Sequence, residues 1–194
     1  MAEAEQTTNP VRLLVLAMDI RKALDKALEA EPNNVEVRLD LMRFHAVTPR
    51  IAGGDEDESR RQAAEVARLD PAAGHFARGY LAYREKAYAT ARKELREAVS
   101  GAPNPTLRAL AAKWLGWLSQ ETQQWSEAFA MFESLRATDP AALYEIGRTA
   151  AFCRCELERG RAALEEYIRS KPKKGMPTVE QARYQLKALG VRRR

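Results

Sequence analysis

Apolar residues recur three or four positions apart along most of the chain, with charged and polar residues between them. The stretch AAKWLGWLSQETQQWSEAFAMFESLRATDP, which begins at Ala111, shows the pattern best. Leu115, Gly116 and Leu118 are the packing positions of a first predicted helix. Thr122-Gln123-Gln124 is a polar turn. Trp125, Ala128, Phe132 and Leu135 then share one face of a second helix. Asp139-Pro140 stops it, because proline drives the residue before it out of the helical region. Two helices joined this way keep an apolar face that only a neighbour of the same kind can cover.

The same periodicity predicts helices over 11–31, 35–46, 59–69, 73–85, 88–100, 106–120, 124–137, 141–155, 158–170 and 178–189. Pro10 suits a first helical turn and Asn33-Asn34 a cap. No stretch alternates as a strand would. Aligning the second helix of each pair on its following proline gives one spacing five times over. The sets are Ile20/Leu24/Ala27/Pro32, Ser59/Ala63/Val66/Pro71, Ala91/Leu95/Ala98/Pro103, Ala128/Phe132/Leu135/Pro140 and Gly160/Leu164/Tyr167/Pro172. The prolines lie 39, 32, 37 and 32 residues apart. A small or apolar residue leads, letting helices approach, and two fillers follow.

This period and spacing resemble tetratricopeptide repeats, and the segments LMRFHAVTPRIAGG and LYEIGRTAAFCR resemble a bacterial subgroup of them. Leu115-Gly116, Gly79 and Gly147 stand where the family keeps Leu-Gly or Gly. The chain departs from the pattern at Ala112 and His75, where the family has Trp, at Arg78 before Gly79, and at Met42 in place of Gly. The resemblance spans Pro10 to Gly190. It implies an all-α, right-handed superhelix of about five helical hairpins, incomplete at one or both ends. The helix over 11–31 is a second helix without a first. The helix over 178–189 is a first helix without a second, with Tyr184 and Leu186 inward. The expected organisation is a tail over 1–9, one solenoid domain over 10–190 and a basic tail over 191–194.

In that family first helices line a concave groove. The resemblance therefore implies a partner-binding face made of Arg43, Phe76, Tyr80, Tyr83, Arg84, Lys113, Trp117, Tyr144, Arg148 and Tyr184. Rings would anchor an extended or helical peptide, and the cations would pair with its carboxylates. The other reading of Tyr83, Tyr144, Tyr80 and Trp117 is packing between helices. No asparagine falls on a first helix, so a carboxylate clamp of Lys and Asn is not supported.

Charge adds an asymmetry. The chain carries +5, but residues from Ala150 onward hold twelve cations against five acids. Lys171, Lys173, Lys174 and Arg192–Arg194 could touch an anionic surface, but no aromatic ring interleaves with them, which argues against nucleic acid. Cys153 and Cys155, two apart on a predicted helix, read as small buried hydrophobes that do not pair. The loop over 48–57, with Gly53, Gly54 and then Asp55, Glu56, Asp57 and Glu58, reads as a solvated turn whose acids favour the next helix start, or as a cation site. His45 and His75 are the only histidines, and no phosphate loop, nucleophile elbow or metal-ligand spacing is present. The expectation is a non-catalytic interaction scaffold without cofactor or metal. It would bind a protein or peptide partner, with self-assembly through the end helices as the alternative. No apolar run reaches membrane-spanning length. The sequence as given reads as cytoplasmic, or as periplasmic if a signal peptide once preceded it.

Overall fold

The structure is a computed structural model that describes residues 9–190. Among the described residues it holds ten α-helices, one short 3₁₀ turn and no strand, so the fold is all-α. The chain divides into two compact units, Met1–Gly101 and Ala102–Arg194, where the sequence reading draws one domain. The first contains α1 (Pro10–Ala30), α2 (Val35–Val47), a 3₁₀ turn (Arg50–Ala52), α3 (Glu56–Leu69), α4 (Pro71–Arg84) and α5 (Tyr88–Gly101). The second contains α6 (Pro105–Glu121), α7 (Trp125–Leu135), α8 (Ala141–Cys153), α9 (Leu157–Arg169) and α10 (Val179–Gly190). The expected tails, apart from Asn9, lie outside the described residues.

Helix starts follow local chemistry. The side chains of Asn9, Asn34, Asp55, Asp70 and Asn104 each accept from a first-turn amide, and Pro10, Pro71 and Pro105 fill first helical positions where no amide hydrogen bond is lost. Asp70 is the sole residue between α3 and α4. It ends one helix and caps the next, accepting from Ala72 and Ala73 at 2.9 and 3.0 Å.

In the first unit the hairpins α2–α3 and α4–α5 bury Met42, Val66, Phe76 and Leu95 completely. In the second, α6–α7 and α8–α9 bury Leu118, Ile146, Leu164 and Tyr167. Gly147 shows why small residues recur in the repeat. A Cβ there would sit 2.2 Å from Leu164 Cγ, so a larger residue would push the two helices apart. Gly79 and Gly116 hold the same place against Leu95 and Phe132.

The two unpaired helices differ. No residue of α1 is buried, and Leu13, Leu16 and Ile20 are 49, 46 and 44% exposed. In α10, Ala182 and Leu189 are interior, but Tyr184, expected inward, is 71% exposed. The interior face of α10 runs through Ala182 and Leu189, and two positions on from Ala182 a helix has turned Tyr184 away.

The cysteines correct the sequence reading. They form a disulfide with each other. A continuous helix would separate their side chains, but α8 stops at Cys153. Arg154 and Glu156 both take left-handed backbone angles, with φ of 58° and 51°, and the reversal turns the two side chains toward each other across Cα atoms 5.1 Å apart. The turn is also longer than its counterparts. Gly79 to Ala91 and Gly116 to Ala128 are each twelve residues, whereas Gly147 to Gly160 is thirteen.

In the loop over 48–57, Asp55 accepts from the amides of Asp57 and Glu58 at 2.9 and 3.1 Å, and Glu56, Asp57 and Glu58 fill the first turn of α3. These acids therefore face the positive end of the helix dipole. Gly54 is required because a Cβ there would lie 1.6 Å from the Thr48 carbonyl oxygen. No group of three or more histidine, cysteine or acidic residues able to hold a metal occurs among the described residues.

Candidate partner-binding faces of the first helices

In the first unit the candidate residues lie on α2 and α4. Arg43 is half-buried and pairs with Asp40 one turn before it. Phe76 is fully buried and Tyr80 is 3% exposed, their ring centres 6.3 Å apart. Burial pushes the Tyr80 phenol up, against the opposing charges of Arg84 and Arg43. Phe76 is thus a core residue and is corrected as a binding position. It fills the space between α4 and its neighbours. Tyr80 is nearly as enclosed. Tyr83 is half-buried beside Tyr88, with ring centres at 6.1 Å. Arg84 is exposed and donates to the Ala46 carbonyl near the end of α2, at 3.4 Å.

In the second unit Lys113, Trp117 and Arg148 converge on one carboxylate. Glu145 is 8% exposed, yet it carries the acceptor oxygens of this face. Burial pushes its carboxyl above the ordinary range; Arg148, hydrogen bonds from Trp117 and Gln120, and the charge of Lys113 pull the other way. Gln120 ties α6 to α8. Its amide donates to Thr149 Oγ1 at 2.8 Å and to both the main-chain and carboxylate oxygens of Glu145 at 3.3 Å. Its Oε1 accepts from Arg148 at 2.7 Å. Arg148 also pairs with Glu145 at 3.2 Å and lies over the Phe152 ring, 5.4 Å from its centre. Lys113 pairs with Asp139 at 2.5 Å.

Trp117 keeps part of its indole at the surface, edge-on to Trp114 at 5.2 Å. Tyr144 is 7% exposed and packs on Tyr167 at 5.8 Å, so it too is a core residue, held between α8 and α9. Sequence reasoning missed Glu145, Gln120 and Phe152. The first two sit next to expected core positions and announce themselves only through their neighbours. Phe152, 54% exposed, was in view as a ring one turn beyond Arg148.

These cations are already matched inside the protein. A ligand carboxylate would have to displace Asp139 from Lys113 or Glu145 from Arg148. The free chemistry of the face is therefore aromatic: Trp117 and Phe152, with polar groups fixed around them.

No known protein-family profile matches the chain, and no curated protein matches it. Among solved structures, the crystal structure of MamA protein matches with a TM-score of 0.52 and 21% identity, covering 86% of this chain and 97% of that one. The likeness is one of fold, and it fits a tetratricopeptide-like helical repeat.

Proposed function

We propose that the chain is a non-catalytic interaction scaffold that receives a segment of a partner protein against α6 and α8. The observation that supports this most is the setting of Trp117. A large ring stays half-exposed while Gln120, Glu145 and Arg148 hold its surroundings in place. A rigid, partly desolvated aromatic edge is what a binding hot spot requires, because little side-chain freedom is lost on association. The partner segment best suited to it presents an aromatic or aliphatic side chain with main-chain hydrogen-bonding groups, and needs no dense negative charge.

A peptide display selection on the intact chain tests the reading. Selected peptides should bind Trp117→Ala and Phe152→Ala at least tenfold more weakly, with helical circular dichroism unchanged. Peptides that bind both variants as well as the wild type would remove this face.

A second reading has its own observation. Leu13, Leu16 and Ile20 follow a three–four spacing along α1 and are each more than two-fifths exposed. Beside them a cleft of about 530 Å³ runs between the start of α1 and residues 47–52, where Ile51 is 88% exposed. This surface suits association of two copies through α1. Light scattering should then show a mass that rises with concentration and reverts to that of a monomer on Ile20→Glu. A concentration-independent monomer would dismiss it.

Among the described residues no helix is long and apolar enough to cross a membrane.

A further inference from the structure

We propose that Cys153 and Cys155 form a reversible thiol–disulfide site that sets how firmly α10 is held on the second unit. The entropy a crosslink removes from the unfolded chain grows with the size of the loop it closes, so a bridge two positions long adds little to global stability. Its effect falls on the backbone it encloses. That backbone is unusual for this protein. The α4–α5 and α6–α7 turns each contain one left-handed non-glycine residue, Lys86 and Gln123, while the α8–α9 turn contains two, Arg154 and Glu156. It also carries the extra residue of the α8–α9 hairpin.

What the bridge holds is Arg154. From its left-handed position the guanidinium donates to the Ala188 carbonyl at 2.8 Å. Ala188 lies in the last turn of α10, where main-chain carbonyls have no partner within the helix, and a cation there also meets the negative end of the dipole. The residue between the two cysteines is therefore the C-terminal cap of α10. Leu189 beside it is buried and lies close to Gly160 of α9. Behind the left-handed Lys86 and Gln123 a main-chain hydrogen bond closes the turn, from Ala87 to Ala82 at 2.8 Å and from Gln124 to Ser119 at 2.7 Å, whereas behind Arg154 the Cys155 amide donates to Cys153 Sγ at 3.2 Å, an atom of the bridge itself. Opening the bridge frees Arg154 to leave the left-handed region, and the cap goes with it.

The site is chemically accessible. Both cysteines are half-buried, and Arg154 and Glu156 on either side of Cys155 are exposed. The co-reactant is a dithiol. Its thiolate attacks one sulfur, forming a mixed disulfide and releasing the other cysteine as a thiolate that takes up a proton. The second thiol of the reagent, losing its proton, then displaces the remaining cysteine. The reagent leaves as a cyclic disulfide, two electrons have passed to the protein, and Cys153 and Cys155 are both thiols.

The full chain is equilibrated with oxidised or reduced dithiothreitol, alkylated and weighed intact, and hydrogen exchange is followed in parallel. The oxidised chain should take up no alkyl group and the reduced chain two, reversibly. Amides 186–190 should exchange about tenfold faster in the reduced form, while those of α9 stay unchanged. Arg154→Gly, which keeps the backbone angle without the guanidinium, should show the fast exchange in both redox states. The Cys153→Ala/Cys155→Ala double variant should match the reduced wild type and ignore the reagent. Two alkylated thiols in the oxidised chain, a bridge between two chains at doubled mass, or identical α10 exchange in both states would each overturn the proposal.

Discussion

The first-helix faces of the two units begin from similar sequence and end differently. In α4 the rings at Phe76 and Tyr80 are drawn inward and touch each other. In the second unit the position equivalent to Tyr80, one residue after the glycine, is Trp117, and it stays half-exposed. The difference lies in what surrounds the ring. Phe76 and Tyr80 pack against each other on one helix, with the charges of Arg43 and Arg84 near the Tyr80 phenol. Trp117 donates to the buried Glu145 carboxylate, which Gln120 and Arg148 also contact, and these groups bring hydrogen-bonding demands that an apolar core could not meet. What sets Trp117 apart is the buried carboxylate that its indole N–H reaches, a partner that keeps polar groups fixed at the ring.

The largest effect that could break this contrast is on stability. Phe76→Ala should cost about 3–5 kcal/mol in urea unfolding of the intact chain, while Trp117→Ala should cost less, about 1–3 kcal/mol, chiefly for the hydrogen bond it gives the buried Glu145. Equal costs would make Trp117 an interior residue after all. Gly147→Ala comes next. Its new methyl meets Leu164, and overpacking of that kind should cost about 1–3 kcal/mol, read by the same unfolding curves. Gln120→Leu should cost about 1–3 kcal/mol by removing one hydrogen-bond partner from each of Thr149, Glu145 and Arg148, and should change the tryptophan fluorescence as Trp117 loses its fixed surroundings.

The smallest effect is the most diagnostic, because the two units should respond to pH with opposite signs. Burial alone would raise Glu94, but hydrogen bonds from His75 and Arg78, both at 2.9 Å, and their charges bring it below the ordinary carboxyl value. Its contribution is present at neutral pH and is lost as pH falls through that lowered value. Glu145 is raised, so the folded chain holds its proton more tightly than the unfolded chain does. Stability from this group is greatest at acid pH and is lost as pH rises from the ordinary carboxyl range through the raised value. Glu145→Gln should flatten that decline, and Glu94→Gln should flatten the loss on acidification. Thermal unfolding across pH 3 to 8, as a rough working range, measures both. Superimposable wild-type and Glu145→Gln profiles would mean that Glu145 is not desolvated.

The helices were legible because their punctuation is local. Proline at first positions, Asn and Asp at caps, and an apolar spacing that closes on a proline all act within a few residues. The apolar spacing places the end of α8 at 155 and it lies at Cys153, because Cys-Arg-Cys-Glu-Leu-Glu contains no helix breaker to mark the residue. The one trace of the turn is the thirteenth residue between Gly147 and Gly160, visible only when hairpins are aligned on both helices at once. The binding face was legible as a register but not as an exposure. Tyr144 and Trp117 both fit the family pattern. What separates them is Tyr167 packing on one and the Glu145 network holding the other, and both partners come from elsewhere in the chain.

The joint at Asp70 carries a consequence for how such a chain can change. With a single residue serving as the end of α3 and the start of α4, there is no slack between them. One inserted residue would rotate α4 by roughly 100° and lift Ala73, Phe76 and Ala77 off the interior they now fill. The stretch from Thr48 to Gly54, by contrast, makes its reversal with exposed residues such as Ile51 and touches few buried ones. Lengthening, grafting and tagging belong at its exposed tip, Arg50 and Ile51, clear of the close approach of Gly54 to Thr48. The α3–α4 corner tolerates neither a change in residue count nor the loss of the Asp70 cap.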